Sequence, residues 1–271
     1  MIDCNDPPVA RMPMNPATAP VSLQGASVVV TRPAATAAAL VRAARARAAH
    51  VVRLPGLELR AIGSAAVAIA ALQTTVDDDA LIFTSPAAVR FAFGLGSFGL
   101  PARVFAVGAG TARALARRGI VAICPVGRQD SEGVLAIDAL ADVLGWRVTI
   151  VDAPGGRDAL APALTARGAQ VRRIAVYERV APRLANRHFR DLEQAPTPWL
   201  SLLSSTEAMS HLLALLPSGL AVRWRAQPLI VSSVRLRDVA EAAGFEQIWV
   251  ARSAMPVDLL DCAAAGWARI A

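Results

Sequence analysis

The chain has 271 residues, and its 28 Lys+Arg against 21 Asp+Glu give a formal net charge of +7. It contains no lysine, so every fixed side-chain cation is an arginine. This excludes P-loop proteins with their phosphate-binding lysine, Schiff-base and pyridoxal enzymes, and protein kinases. Hydrophobic residues make up 55% and charged residues 18%, which is enough apolar material for two domains of ordinary size.

The beginning of the chain differs from the rest. Residues 1–24 are rich in proline and show no periodicity, which predicts a disordered extension. They lack the apolar core of a secretory signal peptide, and no run in the sequence reaches the ~18 apolar residues that span a bilayer. Cys4, Cys124 and Cys262 are far apart and have no CxxC spacing, which favours a reducing compartment. We therefore expect a soluble cytoplasmic protein.

From residue 27 onward, short β-branched runs alternate with alanine- and leucine-rich stretches, a pattern typical of βα units on a parallel sheet. The predicted strands are 27–31, 80–84, 104–107, 148–151, 171–177, 199–203, 228–231 and 247–250. The predicted helices are 34–48, 64–73, 86–93, 111–118, 131–143, 157–167, 206–215 and 235–243.

Two features predict how these units are grouped. Stretches 105–120 and 229–245 share the order of strand, small residues, one-sided helix and terminal glycine, so the two halves look like copies of one domain. Segments 51–62 and 171–182 are extended, and no helix follows directly. The predicted fold is α/β, with two similar parallel-sheet domains joined by a two-stranded antiparallel ladder and an active-site cleft between them. The predicted limits are 25–50 plus 183–271 for domain 1, 63–170 for domain 2, and 51–62 and 171–182 for the linker strands.

Two sets of residues were considered as cofactor sites, and neither has the sequence context or spacing that such a site needs. Gly94, Gly96 and Gly99 match GxGxxG, but a predicted helix precedes them where the dinucleotide motif needs a strand. The histidines at 50, 188 and 211 have no metal-ligand spacing among themselves or with cysteine. The residues themselves therefore predict neither a nucleotide cofactor nor a metal.

Small, hydroxyl and arginine residues recur where predicted strands end and helices begin. Ligands of open α/β sheets bind at this edge, and each helix start offers unpaired N–H groups to an anion. Each site alone is equally well explained as an ordinary helix cap. Their recurrence in both halves favours a carboxylate-rich ligand between the domains. The sites are Thr31-Arg32, Thr84-Ser85, Gly108 to Thr111, Gly155-Gly156-Arg157, Ser204 to Thr206 and Ser232-Ser233.

Tyr177 is the only tyrosine in the chain. It lies in the second linker segment, where its side chain could face the cleft. A phenol can donate or accept one proton, so Tyr177 is a candidate for proton transfer. A packing role explains its position equally well.

Six segments can be compared with a known family. They are VVVTRP (28–33), LIFTSPAAV (81–89), AVGAGTARAL (106–115), GGRDALAPAL (155–164), AVYERV (175–180) and LLSSTEAM (202–209). In order and spacing they resemble the segments of the uroporphyrinogen-III synthase family, over roughly residues 26–265. The order of the segments and the tyrosine strand carry this resemblance, because no single motif is specific.

The resemblance implies a cyclising hydro-lyase of tetrapyrrole, porphyrin and haem biosynthesis. Its substrate would be hydroxymethylbilane, a linear tetrapyrrole with eight carboxylates. The substrate loses its hydroxyl as water and closes, through a spiro intermediate that inverts ring D, to uroporphyrinogen III. The family needs no metal or organic cofactor. The resemblance also implies a monomer that receives its substrate by transient hand-over from hydroxymethylbilane synthase, with no nucleic-acid or membrane partner.

The resemblance also assigns roles to residues. Tyr177 falls on the family's tyrosine, whose proposed role is to donate a proton to the departing hydroxyl. Ser232 to Arg235 stand where some members have Gly-Pro-Thr-Thr, so Arg235 would replace a hydroxyl contact there. With the strand-end residues included, the predicted substrate-binding residues are Thr31, Arg32, Ser85, Gly108, Thr111, Gly156, Arg157, Ser204, Thr206, Ser233 and Arg235.

Two other classes of function fit parts of the sequence. The first is a non-catalytic, two-lobed sensor that binds an anionic metabolite and docks to a regulator. This hypothesis predicts a fused DNA-binding or receiver domain, for which the remaining residues leave no room. A basic nucleic-acid binder would use the net charge of +7, but the arginines are scattered and aromatic residues make up only 5%.

Overall fold

A computed structural model describes residues 22–155 and 159–270. In these ranges the strands are β1 (Ser27–Val30), β2 (His50–Arg53), β3 (Glu58–Ala61), β4 (Ala80–Phe83), β5 (Val104–Ala106), β6 (Arg147–Asp152), β7 (Gln170–Ala175), β8 (Tyr177–Val180), β9 (Trp199–Leu203), β10 (Leu229–Val231) and β11 (Ile248–Val250). The helices are α1 (Ala38–Arg45), α2 (Ala65–Gln73), α3 (Pro86–Gly94), α4 (Ala109–Ala116), α5 (Ser131–Leu135), α6 (Leu160–Ala166), α7 (Asn186–Gln194), α8 (Thr206–Leu215), α9 (Ser218–Arg225), α10 (Val234–Ala242) and α11 (Pro256–Trp267).

The strands form two parallel sheets and one small antiparallel pair. The first sheet has the order β11-β10-β9-β1-β2, so it combines strands from both ends of the chain. The second sheet has the order β5-β4-β6-β7. Strands β3 and β8 pair antiparallel. The predicted α/β fold class is confirmed, whereas the limits given for the two domains stay a prediction.

Each parallel sheet is buried on both faces. In the first sheet, Val29 packs into one apolar core and its neighbour Val28 into another. In the second sheet, Leu81 and Ile82 divide in the same way between two further cores. Successive side chains of a strand point to opposite faces, so a sheet covered by helices on both sides needs continuous apolar runs. This is why the β-branched runs in the sequence located these strands well.

The segment 51–62 is not the single extended strand that the sequence predicts. Its first part lies in β2 of the first sheet, and only its last part, β3, reaches the antiparallel pair. Between them, Leu54 and Leu57 are buried on either side of a turn. Gly56 in this turn lies against α8, where a Cβ would come 2.6 Å from the carbonyl oxygen of Ala208. The turn redirects the chain out of the first sheet.

The segment 171–182 is divided in the same way. Its first part is β7 of the second sheet, and its second part is β8. At the junction, the N–H of Val176 donates to the carbonyl oxygen of Asp152, and the carbonyl oxygen of Val176 accepts from the N–H of Ile62. One residue thus connects the second sheet to the ladder, in which Ala61 lies opposite Tyr177.

Helices α7, α9 and α11 were not predicted from the sequence, and the predicted helix 131–143 is only α5 followed by a 3₁₀ turn at Asp138–Leu140. Helix α7 is strongly polar and buries only Leu192, so its apolar signal is weak. Helix α11 buries Leu259, Leu260, Ala263 and Ala264. That spacing follows one face of a helix, so α11 could have been recognised.

The predicted extension 1–24 lies mostly outside the described residues, which begin at residue 22. Leu23 is fully buried in the core that also contains Leu260, and its N–H donates to the carbonyl oxygen of Arg47 at 2.7 Å. Packed structure therefore begins before residue 25. Within the described ranges, no helix is both long enough and apolar enough to cross a membrane.

Candidate active site

Tyr177 is the first residue of β8 and is only 6% exposed. Its hydroxyl lies 3.2 Å from Oγ of Ser85. Its ring stacks on Phe91 of α3, with ring centroids 5.3 Å apart and an angle of 14° between the planes. The stacking and the hydroxyl contact together fix the position of the phenol.

Ser85 is the N-cap of α3 and lies two residues after the end of β4. Its Oγ accepts a hydrogen bond from the N–H of Ala88 at 3.0 Å. A hydroxyl has one proton to donate and can accept two hydrogen bonds, so this cap leaves the Ser85 proton available to the phenol oxygen of Tyr177. The cap also holds Oγ at the end of the strand, where the sequence predicted it.

Tyr177 and Ser85 both line a pocket of about 210 Å³ at the carboxyl ends of β4 and β6. The apolar part of its lining includes Val107, Ile150 and Leu160. Its other polar lining residues are Thr84, Ser131, Asp152, Arg173 and Arg179. A phenol, several hydroxyls and two guanidinium groups therefore share one pocket, a combination suited to proton donation and to carboxylate binding.

The two arginines of this pocket are held in place by different partners. Nε of Arg173 lies 2.9 Å from Oδ2 of the largely buried Asp152. Nη2 of Arg179 donates to the carbonyl oxygen of Pro154 at 2.8 Å, and its Nε lies 3.3 Å from Oε2 of Glu207. Glu207 is in the first turn of α8, so the last contact connects the ladder with the unit built on the first sheet.

Gly108 and Thr111 lie at the start of α4, on the same edge of the second sheet. Gly108 is the N-cap, and a Cβ there would come 3.2 Å from Oε1 of Gln129. The same Oε1 accepts from the N–H of Ala109 at 3.1 Å. Thr111 is only 3% exposed. Neither residue lines the pocket beside Tyr177, to which this turn contributes Val107.

Thr31 and Arg32 follow β1 in the first sheet and are engaged within that unit. Thr31 is 2% exposed, and its hydroxyl donates to the carbonyl oxygen of Leu202 at 2.7 Å. The guanidinium of Arg32 donates to the carbonyl oxygen of Ala254. Burial lowers the pKa of Arg32 from its usual value, because the charged form is desolvated.

The remaining predicted contacts in the first unit lie at two helix starts. Ser204 and Thr206 flank Ser205, which caps α8 by accepting from the N–H of Ala208 at 3.3 Å. Ser233 caps α10 in the same way, and it and Arg235 are exposed. None of these residues lines the pocket beside Tyr177.

Of the predicted site residues, the structure thus brings Ser85 and Tyr177 together and places the others elsewhere. Gly156 and Arg157 lie outside the described residues.

Four of the polar residues that line the described part of the pocket were missed by the sequence reasoning: Ser131, Asp152, Arg173 and Arg179. Arg179 stands two positions after Tyr177, and residues two apart on a strand share a face, so it could have been identified. Asp152 ends β6 at the sheet edge already recognised as the ligand-binding one. Arg173 lies within a strand and carries no comparable signal.

The three histidines lie apart. Nδ1 of His50 is 3.5 Å from Oγ of Ser27, Nδ1 of His211 is 3.0 Å from the carbonyl oxygen of Gly56, and Nδ1 of His188 accepts from the N–H of Ala185. Over 22–155 and 159–270, no three His, Cys, Asp or Glu residues are grouped so that they could hold a metal ion.

Comparison with known proteins identifies the family. The family model described as uroporphyrinogen-III synthase HemD matches residues 38–261. The chain belongs to the uroporphyrinogen-III synthase family. Members of this family are cyclising lyases of tetrapyrrole biosynthesis. A uroporphyrinogen-III synthase from Salmonella typhimurium is 30% identical over 241 residues, which is 84% of this chain and 96% of that protein.

Solved structures agree on the fold. The uroporphyrinogen-III synthetase from Helicobacter pylori has a TM-score of 0.58 at 14% identity and covers 89% of this chain and 99% of its own. A mutant uroporphyrinogen III synthase from Thermus thermophilus has a TM-score of 0.53 at 16% identity and covers 90% of this chain and 98% of its own. The arrangement of two parallel sheets and a small antiparallel ladder is thus the fold of the family.

Proposed function

We propose that this protein converts hydroxymethylbilane to uroporphyrinogen III. The observation that carries the proposal is the contact between Tyr177 and Ser85 in a pocket that also contains Arg173 and Arg179. The pocket offers a proton donor for a leaving hydroxyl and cations for the carboxylates of the substrate. Family membership supplies the reaction in which both are needed.

In the first step, Tyr177 donates its phenolic proton to the hydroxyl of the substrate. The carbon–oxygen bond breaks, the oxygen keeps the electron pair, and water leaves. The pyrrole nitrogen supplies electrons to the carbon that remains, which becomes an azafulvenium electrophile. Ser85 is close enough to donate to the phenolate oxygen that forms, so it stabilises the negative charge on Tyr177.

In the second step, ring D attacks through its substituted carbon and forms the spiro intermediate. The bond from ring C to ring D then breaks, and ring D closes through its other carbon, so that its substituents are inverted. The proton that ring D loses on regaining aromaticity restores the phenol of Tyr177. The protein mainly folds the chain and favours this path, since unassisted cyclisation gives the isomer without inversion.

The carboxylate arms need cations and N–H groups around the pocket. Arg173 and Arg179 supply cations in the pocket that Tyr177 lines. The hydroxyl of Thr31 is already bonded to a backbone carbonyl, so we assign that residue a structural role. The other substrate contacts in this proposal are Arg32, Gly108, Thr111, Gly156, Arg157, Ser204, Thr206, Ser233 and Arg235.

The proposal extends to the setting of the reaction. The enzyme acts as a monomer in the cytoplasm and receives hydroxymethylbilane by transient hand-over from hydroxymethylbilane synthase. The chemistry supports hand-over, because free substrate closes spontaneously to the wrong isomer. A short transfer time therefore increases the share of type III product.

Supplying hydroxymethylbilane and separating the product isomers after oxidation tests the function. We expect type III uroporphyrin to dominate and its formation rate to scale with enzyme concentration. Type I product alone, formed at the rate seen without protein, would refute the proposed function.

A further inference from the structure

The pocket beside Tyr177 is small for the proposed substrate. Its volume of about 210 Å³ is below the ~300–1,000 Å³ that small-molecule sites usually have. A linear chain of four pyrrole rings with eight carboxylates is larger than most such ligands. If the proposed function holds, most of the substrate lies outside this pocket.

A second groove, of about 420 Å³, is lined in part by the beginning of α3. Its lining includes Pro86 and Ala87, the residues that directly follow Ser85. It also includes Ala35 and Thr36, from the loop after β1. Both α/β units therefore contribute to this groove, and the first turn of α3 lines it directly after Ser85, which lines the catalytic pocket.

Three arginines line this second groove, which we call the arginine groove: Arg90 of α3, and Arg117 and Arg118 at the end of α4. No acidic residue is among the lining residues that the structure describes. In the part of the chain that the structure describes, none of the three forms an ion pair. Three like charges without a counterion favour the binding of an anion.

Aromatic rings position two of these guanidinium groups. The guanidinium carbon of Arg90 lies 4.6 Å from the ring centre of Phe91, and that of Arg118 lies 4.7 Å from the ring centre of Phe93. Stacking restrains a guanidinium through its face and leaves its N–H edges available for bidentate contact with a carboxylate.

A role in helix stability explains only two of the three arginines in this groove. Cations near the end of a helix stabilise its dipole, which accounts for Arg117 and Arg118 on α4. It does not account for Arg90, which lies inside α3 and lines the same groove. The rest of the lining is largely apolar and includes Val89 and Ala114, so the groove suits a flat ring that carries carboxylate arms.

We propose that the arginine groove is a second carboxylate site, which holds the arms of the pyrrole rings that the pocket beside Tyr177 cannot accommodate. This inference rests on the proposed function and adds the location of the non-reacting part of the substrate. The groove then binds without taking part in bond changes.

Three variants test the proposal: Arg90→Gln, the double variant Arg117→Gln/Arg118→Gln, and Arg113→Gln as the matched control. Arg113 is exposed on α4 and lies outside the groove, so its variant removes the same charge from the same helix. We expect KM for hydroxymethylbilane to rise about 2- to 5-fold per groove arginine removed, the upper range for exposed ion pairs. We expect kcat to stay within about twofold, because removing an interaction that ground and transition states share leaves kcat unchanged.

A binding measurement with the stable octacarboxylate uroporphyrin separates the two proposals. If wild-type protein makes type III product but the groove variants keep the wild-type KM and the wild-type Kd for uroporphyrin, the groove proposal is overturned and the function stands. If wild-type protein makes no type III product but uroporphyrin binds more weakly only to the groove variants, the function fails and the carboxylate site stands. Equal weakening in Arg113→Gln would indicate a general charge effect and would also overturn the groove proposal.

Discussion

At the scale of single residues, the phenol of Tyr177 is the feature closest to the chemistry. Replacing Tyr177 with Phe keeps the ring and its stacking on Phe91 but removes the proton. We expect kcat to fall about 10- to 100-fold, at or below the modest end of general-acid contributions, while KM changes little. Steady-state formation of type III product measures both constants. Wild-type kcat in this variant would remove Tyr177 from the proton-donating role.

Ser85 combines two roles that a matched pair of variants can separate. Ser85→Ala loses a helix cap and the contact with Tyr177, whereas Ser205→Ala loses an equivalent cap on α8 and no phenol contact. We expect each variant to lose about 1 kcal/mol of unfolding free energy, measured by denaturant titration. Only Ser85→Ala should also lose kcat. An equal loss of kcat in both variants would mean that Ser85 acts through helix stability alone.

Single residues also show what a sequence can and cannot reveal about the site. Tyr177 was found because it is unique and lies in a segment that breaks the βα pattern. Arg179 was missed, although it follows Tyr177 on the same face of the strand. The hydroxyl of Thr31 meets the carbonyl oxygen of Leu202, which is distant along the chain. That contact depends on the pairing of β1 with β9, so no local pattern contains it.

At the scale of elements, the turn between β2 and β3 holds α8 against the first sheet. A Cβ on Gly56 would come within 2.7 Å of both the carbonyl oxygen and the Cβ of Ala208, while a Cβ on Gly63 would meet nothing within 4 Å. We expect Gly56→Ala to lose about 1–3 kcal/mol of unfolding free energy. Gly63→Ala should be neutral or stabilising by up to ~1 kcal/mol. Thermal unfolding of both variants measures the difference, and equal stability would contradict the close approach.

The elements best predicted from sequence are those whose signal is local. Continuous apolar runs located the strands of both parallel sheets, except β2, to within one or two residues. The two extended segments, 51–62 and 171–182, were harder to predict, because each passes from a parallel sheet into the ladder. At Val176 the change of sheet depends on hydrogen bonds to Asp152 and Ile62, which come from other parts of the chain.

At the scale of the whole molecule, Arg179 connects the catalytic pocket with the other α/β unit. It lines the pocket beside Tyr177, and its Nε lies 3.3 Å from Oε2 of Glu207. A substrate carboxylate that binds Arg179 therefore competes with Glu207. The ladder and this ion pair are two links between the units, and the ion pair is the one that a substrate can replace.

Glu207→Gln tests this competition. We expect KM for hydroxymethylbilane to fall about 2- to 5-fold, since an exposed ion pair contributes about 0.2–1 kcal/mol and its loss frees Arg179 for the substrate. Glu241→Gln is the control, because Glu241 pairs with Arg237 within α10 and neither residue lines the pocket. Arg179→Gln should raise KM in the same assay. The contrary result would be a KM in Glu207→Gln equal to that of Glu241→Gln, with a raised KM in Arg179→Gln. It would mean that Arg179 binds the substrate without displacing Glu207, so the link between the two units is not broken during binding.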